Sequence, residues 1–185
     1  MTLAAMASLH VLRPDLNPIT QVMSYYGPGP YGFLFTISLA ALGIGLAALT
    51  ALLRRGLAPE ERSAVTLSFV AIAATSAFAV AIFDADLPGA PHTLHGSLHG
   101  VGALFFWTSL PVAAVDLSSR LRQHAAWRTS GRLSLAFGVV SLIELVLSLA
   151  VSPLGGLMER MLLITDLGWV GLVAVAVARH RGHRR

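Results

Sequence analysis

Five apolar runs, each about 20 residues long, divide this chain, and its polar residues gather in short clusters between them. The runs fall at about 33–53, 63–82, 93–115, 133–151 and 159–178. A run of that length crosses the hydrocarbon of a bilayer as a helix, because only a helix satisfies its backbone groups without neighbours. With 185 residues, 55% of them hydrophobic and 12% charged, the chain has more apolar side chains than a water-soluble core of that size can hide. Two-residue alternation is absent, which argues against a membrane β-barrel. The expected fold is all-α: a polytopic transmembrane helical bundle with five complete spans and a partial N-terminal one. Residues 1–185 form a single transmembrane domain, and the lipid bilayer is its first partner.

The charged residues set orientation. The sequence holds 13 basic side chains, all arginine. Arg54, Arg55 and Arg62 lie between the first two runs, Arg120, Arg122, Arg128 and Arg132 between the third and fourth, and Arg179, Arg181, Arg184 and Arg185 after the last. Arginine at alternate loops marks the cytoplasmic face of a membrane protein, so the C-terminus is expected in the cytoplasm and the intervening loops outside a bacterial inner membrane. This placement at span ends, without an amphipathic basic face interleaved with aromatics, excludes nucleic acid as a partner despite a pI near 10.6. No cysteine is present, so any metal would rest on His and carboxylate.

Glycines at 43, 45, 96, 100, 102, 138, 168 and 171 fall inside spans, where small residues let helices approach. Met1 to Val11 is apolar but too short to span and lacks a basic leader, so it reads as the tail of a helix. An upstream half would make six spans. Asn17-Pro18 and Gly27-Pro28-Gly29-Pro30 then interrupt the helix, and Tyr25, Tyr26 and Tyr31 suit a membrane boundary.

Chemistry is densest in Phe83-Asp84-Ala85-Asp86 through His92, His95 and His99. The i, i+3, i+7 spacing puts the three imidazoles on one helical stripe, just after two loop carboxylates. Below them, His99, Glu144 and Asp166 are ionisable residues within spans, costly there unless paired or hydrated. Glu159 and Asp166, seven apart, share a helix face, and Arg160 is within reach of a carboxylate.

The run Arg13-Pro14-Asp15-Leu16-Asn17-Pro18-Ile19-Thr20-Gln21-Val22-Met23-Ser24-Tyr25-Tyr26, the following Gly29-Pro30-Tyr31-Gly32, the Asp84/Asp86 loop before His95-Gly96-Ser97-Leu98-His99, and Gly156-Leu157-Met158-Glu159-Arg160 together resemble a bacterial membrane family, domain of unknown function 998. The resemblance covers nearly the whole chain. It implies about six spans and carries no established activity. Relatives often have an acidic residue after the serine, where this chain has Tyr25.

The candidate pocket therefore comprises Ser24, Asp84, Asp86, His92, His95, His99, Glu144, Glu159, Arg160 and Asp166. Three readings compete for it. In the first, His95 and His99 at i, i+4 bind a divalent metal such as zinc with Asp86, Asp84 or His92, and a bound water hydrolyses a lipid-like substrate. Gly96 stands where a zincin motif needs its Glu, so Glu159 or Asp166 would supply the base. In the second, the polar residues only hold helices together: His92 caps the third span, His95 and His99 donate to carbonyls or Glu144, and Arg160 pairs with a carboxylate. In the third, the pocket takes a lipid headgroup, a small solute or a proton, with conduction requiring a homo-oligomer because the chain lacks a second repeat. Haem fits poorly, since bis-His ligation wants imidazoles on facing helices.

Overall fold

The computed structural model describes residues 1–183; Arg184 and Arg185, counted with the arginines above, lie outside the described residues. Six helices follow one another: α1 (Thr2–Leu12), α2 (Gly32–Gly56), α3 (Ala64–Ile82), α4 (Leu94–Leu121), α5 (Arg128–Ala150) and α6 (Gly155–His183), with no strand among the described residues. Helices α2 to α6 are long and apolar enough to cross a membrane, and the chain is a multi-pass membrane protein. Each packs antiparallel on the next in sequence, and α6 returns to α2, closing a ring. One end carries the α2–α3 and α4–α5 connections with their arginines; the other carries the α3–α4 and α5–α6 connections with the histidines. We call them the arginine end and the histidine end.

The spans run at or beyond their expected limits where polar residues have helical work to do. α4 continues past 115 to Leu121 because Asp116 reaches across to α3, accepting from the Thr66 backbone N–H at 3.1 Å and from its hydroxyl at 2.6 Å. Together with Ser63 this caps the first turn of α3. Arg54 and Arg55 fall in the last turn of α2, where cations oppose the negative end of the helix dipole. In the core, Leu39, Leu42, Leu46, Leu49 and Leu53 alternate steps of three and four, so one seam of α2 is wholly buried.

Of the glycines inside spans, Gly43, Gly102, Gly138 and Gly168 do sit against a neighbouring helix, facing Phe78, Val80, Val115 and Phe137 in turn. Gly45, Gly100 and Gly171 face nothing within 4 Å, so no packing accounts for them.

α1 is a helix of 11 residues, about 16 Å long and too short to span. It lies beside α2, the Thr2 hydroxyl donating to Ser38 O at 3.1 Å. The segment between α1 and α2 then crosses the histidine end of the bundle. Ile19 O accepts from the Leu157 N–H at 2.9 Å, using a free donor in the first turn of α6. Gly156 makes that crossing possible, since a Cβ there would stand 2.3 Å from Gln21 O. Tyr26, expected at the membrane boundary, is instead fully buried beneath this segment.

Gly156→Val therefore has backbone, not a flexible side chain, to displace. We expect it to lower stability by about 1–3 kcal/mol, read as a reduced thermal midpoint in detergent, whereas Gly100→Ala, facing open space, leaves the midpoint in place.

Candidate functional site

The ten candidate residues do not meet in one pocket. They divide into three groups, each built by different elements.

The first group is local. α4 begins at Leu94, so His92 precedes the helix and the expected three-histidine stripe does not form. Thr93, not His92, is the N-cap: its hydroxyl oxygen accepts from the Gly96 N–H at 2.9 Å. Asp86 grips Thr93 in turn, accepting from its backbone N–H at 2.9 Å and from its hydroxyl at 2.7 Å. The carboxylate thus lies over the positive end of α4, and only glycine fits beneath it, because a Cβ on Gly96 would stand 2.1 Å from Asp86 Oδ2. The Thr93 N–H and hydroxyl hold the Asp86 carboxyl below the usual carboxylate range. His92 is fully exposed, its Nδ1 3.9 Å from Asp86 Oδ2. His95 is exposed with its ring edge-on to Phe83 at 5.4 Å. Asp84 is exposed beside Gly27.

The second group joins the crossing segment to α4 and α6. His99 is 4% exposed. Its Nδ1 lies 2.7 Å from Phe83 O and its Nε2 2.8 Å from Ser24 Oγ. Both ring nitrogens are therefore occupied by protein groups. Glu159 accepts from the Met23 N–H at 2.5 Å. Arg160 does not pair with a carboxylate as expected. Its Nε–H donates to His10 Nε2 at 2.7 Å, one terminal nitrogen donates to Gln21 O at 2.9 Å and Gly156 O at 2.8 Å, and the other donates to Tyr26 Oη at 3.3 Å. His10 Nδ1 lies 2.6 Å from Met6 O, so Nδ1–H donates there and Nε2 is free to accept. An interior cavity of about 20 Å³, room for a water molecule, is lined by Ser24, Trp107 and Glu159 among apolar side chains. It shares Trp107, Ala103 and Glu159 with a groove of about 290 Å³ that opens sideways between α4, α5 and α6.

The third group is the acid pair. Asp166 Oδ1 accepts from the Ser141 hydroxyl at 2.7 Å, and Glu144 Oε1 accepts from the Thr165 hydroxyl at 3.1 Å. Both acids are buried between α5 and α6 at one level, and no protein donor reaches Asp166 Oδ2 or Glu144 Oε2. Neither meets His99.

For the divalent metal, the donor set is wrong. Among the described residues no three His, Asp or Glu side chains stand close enough to hold an ion. His95 and His99 point into different surroundings, and Asp86 spends its oxygens on Thr93. His10, Gln21, Tyr26, Trp107, Ser141 and Thr165 were not foreseen, because partners as far apart as His10 and Arg160, separated by 150 residues, leave no mark in local spacing.

The family described as "Protein of unknown function (DUF998)" matches residues 1–176. No curated protein and no solved structure matches the chain.

Asp86 predicts a pH dependence. Its folded carboxyl titrates below its unfolded value near 3.9, so the stability it contributes is present above that value and is lost as pH falls through the folded one. Wild type should exceed Asp86→Asn in thermal midpoint at neutral pH, with the gap closing by about pH 2. A gap that persists in acid would assign the effect elsewhere.

Proposed function

The chain belongs to the DUF998 family, whose activity is unassigned, so the function must come from geometry, and we propose that it binds a long-chain amphiphile in the lateral groove between α4, α5 and α6. The observation that carries this is one acidic side chain in a mostly apolar groove. Leu104, Leu145, Leu149 and Leu162 line its length, while Glu159, Ser148 and Thr108 are the polar groups that meet it. Such a surface fits an alkyl tail along the helices and a hydroxyl or ammonium donor against the carboxylate. Arginine bias supports an orientation in which the arginine end is cytoplasmic and the groove opens toward the outer half of a cell membrane.

The test uses a primary alkylamine with a photoreactive diazirine in its tail. Wild-type protein should be crosslinked on α4 or α5 near Leu104 or Leu149. Gly100→Phe, whose ring fills the groove from a position with nothing within 4 Å, should reduce labelling about tenfold, and Glu159→Gln should do the same. Equal labelling in both variants would overturn the reading.

A second reading attaches to the acid pair, because two buried carboxylates each retain an oxygen with no protein donor. Such a pair suits reversible proton binding inside a membrane. Proteoliposomes should then show proton flux that Asp166→Asn abolishes, and flux that is absent, or unchanged by the substitution, would remove it.

A further inference from the structure

We propose that Ser24 is a nucleophile and His99 its general base, forming an acyl-transfer dyad beside the interior cavity that adjoins the groove. The assignment starts from a constraint on one proton. Phe83 O can only accept, so the 2.7 Å contact places a proton on His99 Nδ1. In a neutral ring Nε2 is then a lone pair, and the 2.8 Å contact is completed by the Ser24 hydroxyl donating to it. The hydroxyl hydrogen points at the base, which is the arrangement a serine nucleophile needs: nucleophile to base, base to a fixed orienting group. Here a backbone carbonyl does the orienting.

The dyad is held from both sides. Ser24 sits in a 3-10 turn, Met23–Tyr26, and both neighbours in space are anchored: the Met23 N–H on Glu159, and Tyr26 buried against His10 with the Arg160 guanidinium 5.7 Å from its ring centre. His99 is fixed on α4 and screened from solvent. Ser24 also lines the interior cavity. That cavity shares Glu159 and Trp107 with the lateral groove.

Depth points to the substrate class. α4 has 28 residues and is about 42 Å long, against a hydrocarbon thickness of about 30 Å. His99, five residues from its start, lies about 7 Å along the helix, and Glu159, four residues into α6, about 6 Å. These are the depths at which the ester or amide linkages of membrane lipids sit, with the tails below and the headgroups above. Resting on the amphiphile reading only for its substrate, the dyad would act on an ester or amide of a long-chain lipid bearing a hydroxyl or ammonium near the reacting carbonyl.

In the forward step Ser24 Oγ forms a bond to the acyl carbon as its proton passes to His99 Nε2. The carbon–oxygen or carbon–nitrogen bond to the leaving group then breaks, and that proton goes to the departing alcohol or amine. Water, or a second lipid alcohol, then attacks the acyl carbon with His99 again as base; the Ser24 Oγ–acyl bond breaks, the carboxylic acid or new ester departs, and His99 returns the proton to Ser24 Oγ.

Fluorophosphonates test the nucleophile directly, using full-length protein in detergent micelles and two probes, one with a long alkyl chain and one with an ethyl group. The proposal expects a single adduct on Ser24 by peptide mass. His99→Ala should slow labelling by at least 10²-fold, roughly the contribution of a general base. Ser24→Ala should abolish it, and Ser24→Cys, which keeps the polar contact if the alanine variant fails to fold, should become reactive toward iodoacetamide with His99-dependent rate. No adduct on wild type with either probe, an adduct on another residue, or a rate indifferent to His99 would overturn the dyad. The groove is read separately: Gly100→Phe should block the long-chain probe and spare the ethyl one. Equal labelling by both probes in that variant would retire the lipid substrate and leave the nucleophile standing.

Discussion

A guanidinium placed near the end of an apolar bundle must find acceptors, and in this protein every acceptor that Arg160 uses outside its own helix belongs to the N-terminal part of the chain. His10, Gln21 and Tyr26 take its donors, and Gly156 O takes what remains. Removing Arg160 would strand those acceptors; removing the segment would strand a charge, the costlier of the two. Arg160 thus does more than pin a loop. It fixes the height of Tyr26, and through the same short turn it fixes Met23 on Glu159 and Ser24 on His99. Lysine could not substitute, since one ammonium cannot direct donors along the separate edges that the planar group serves here.

Span positions are legible in the sequence because each is decided by a quantity summed over about twenty residues, the cost of burying polar groups in hydrocarbon. Local chemistry is legible too, within a few residues. Asp86 and Thr93 lie seven apart and form the cap that starts α4, and that cap is what displaced His92 from the helix. The histidine stripe was expected because a 3.6-residue period was extended one turn too early. The α4 cap shows that a helix start depends on which hydroxyl reaches the first free N–H groups, a choice that periodicity does not see.

What spacing could not show is which distant residue would satisfy each buried polar group. Ser24 and His99 are 75 residues apart and His10 and Arg160 are 150 apart. The expectation that Arg160 pairs with a carboxylate followed charge alone, yet Glu159 on the same turn points to the Met23 N–H instead. Three imidazoles that looked alike in sequence meet three environments: His92 faces water, His95 packs on an aromatic edge, and His99 is buried with both nitrogens used. Only the last has a fixed tautomer, and a fixed tautomer is what separates a base from a bystander.

The structure therefore moves the centre of interest from a pair of histidines on one helix to a serine and a histidine on separate elements. A metal site at His95 and His99 would need both side chains to share one space, and burial divides them. The dyad needs only that the crossing segment stay where Arg160 holds it. The same dependence shows in the contacts that tie residues 10–26 to α4 and α6: His10, Gln21 and Tyr26 to Arg160, Met23 to Glu159, and Ser24 to His99. The groove between those same helices shares Ala103, Trp107 and Glu159 with the cavity that Ser24 lines, so a path from it to the serine would stay within the bilayer. A lipid linkage reaching Ser24 by that route would meet a nucleophile already aligned, with its proton already directed at the base.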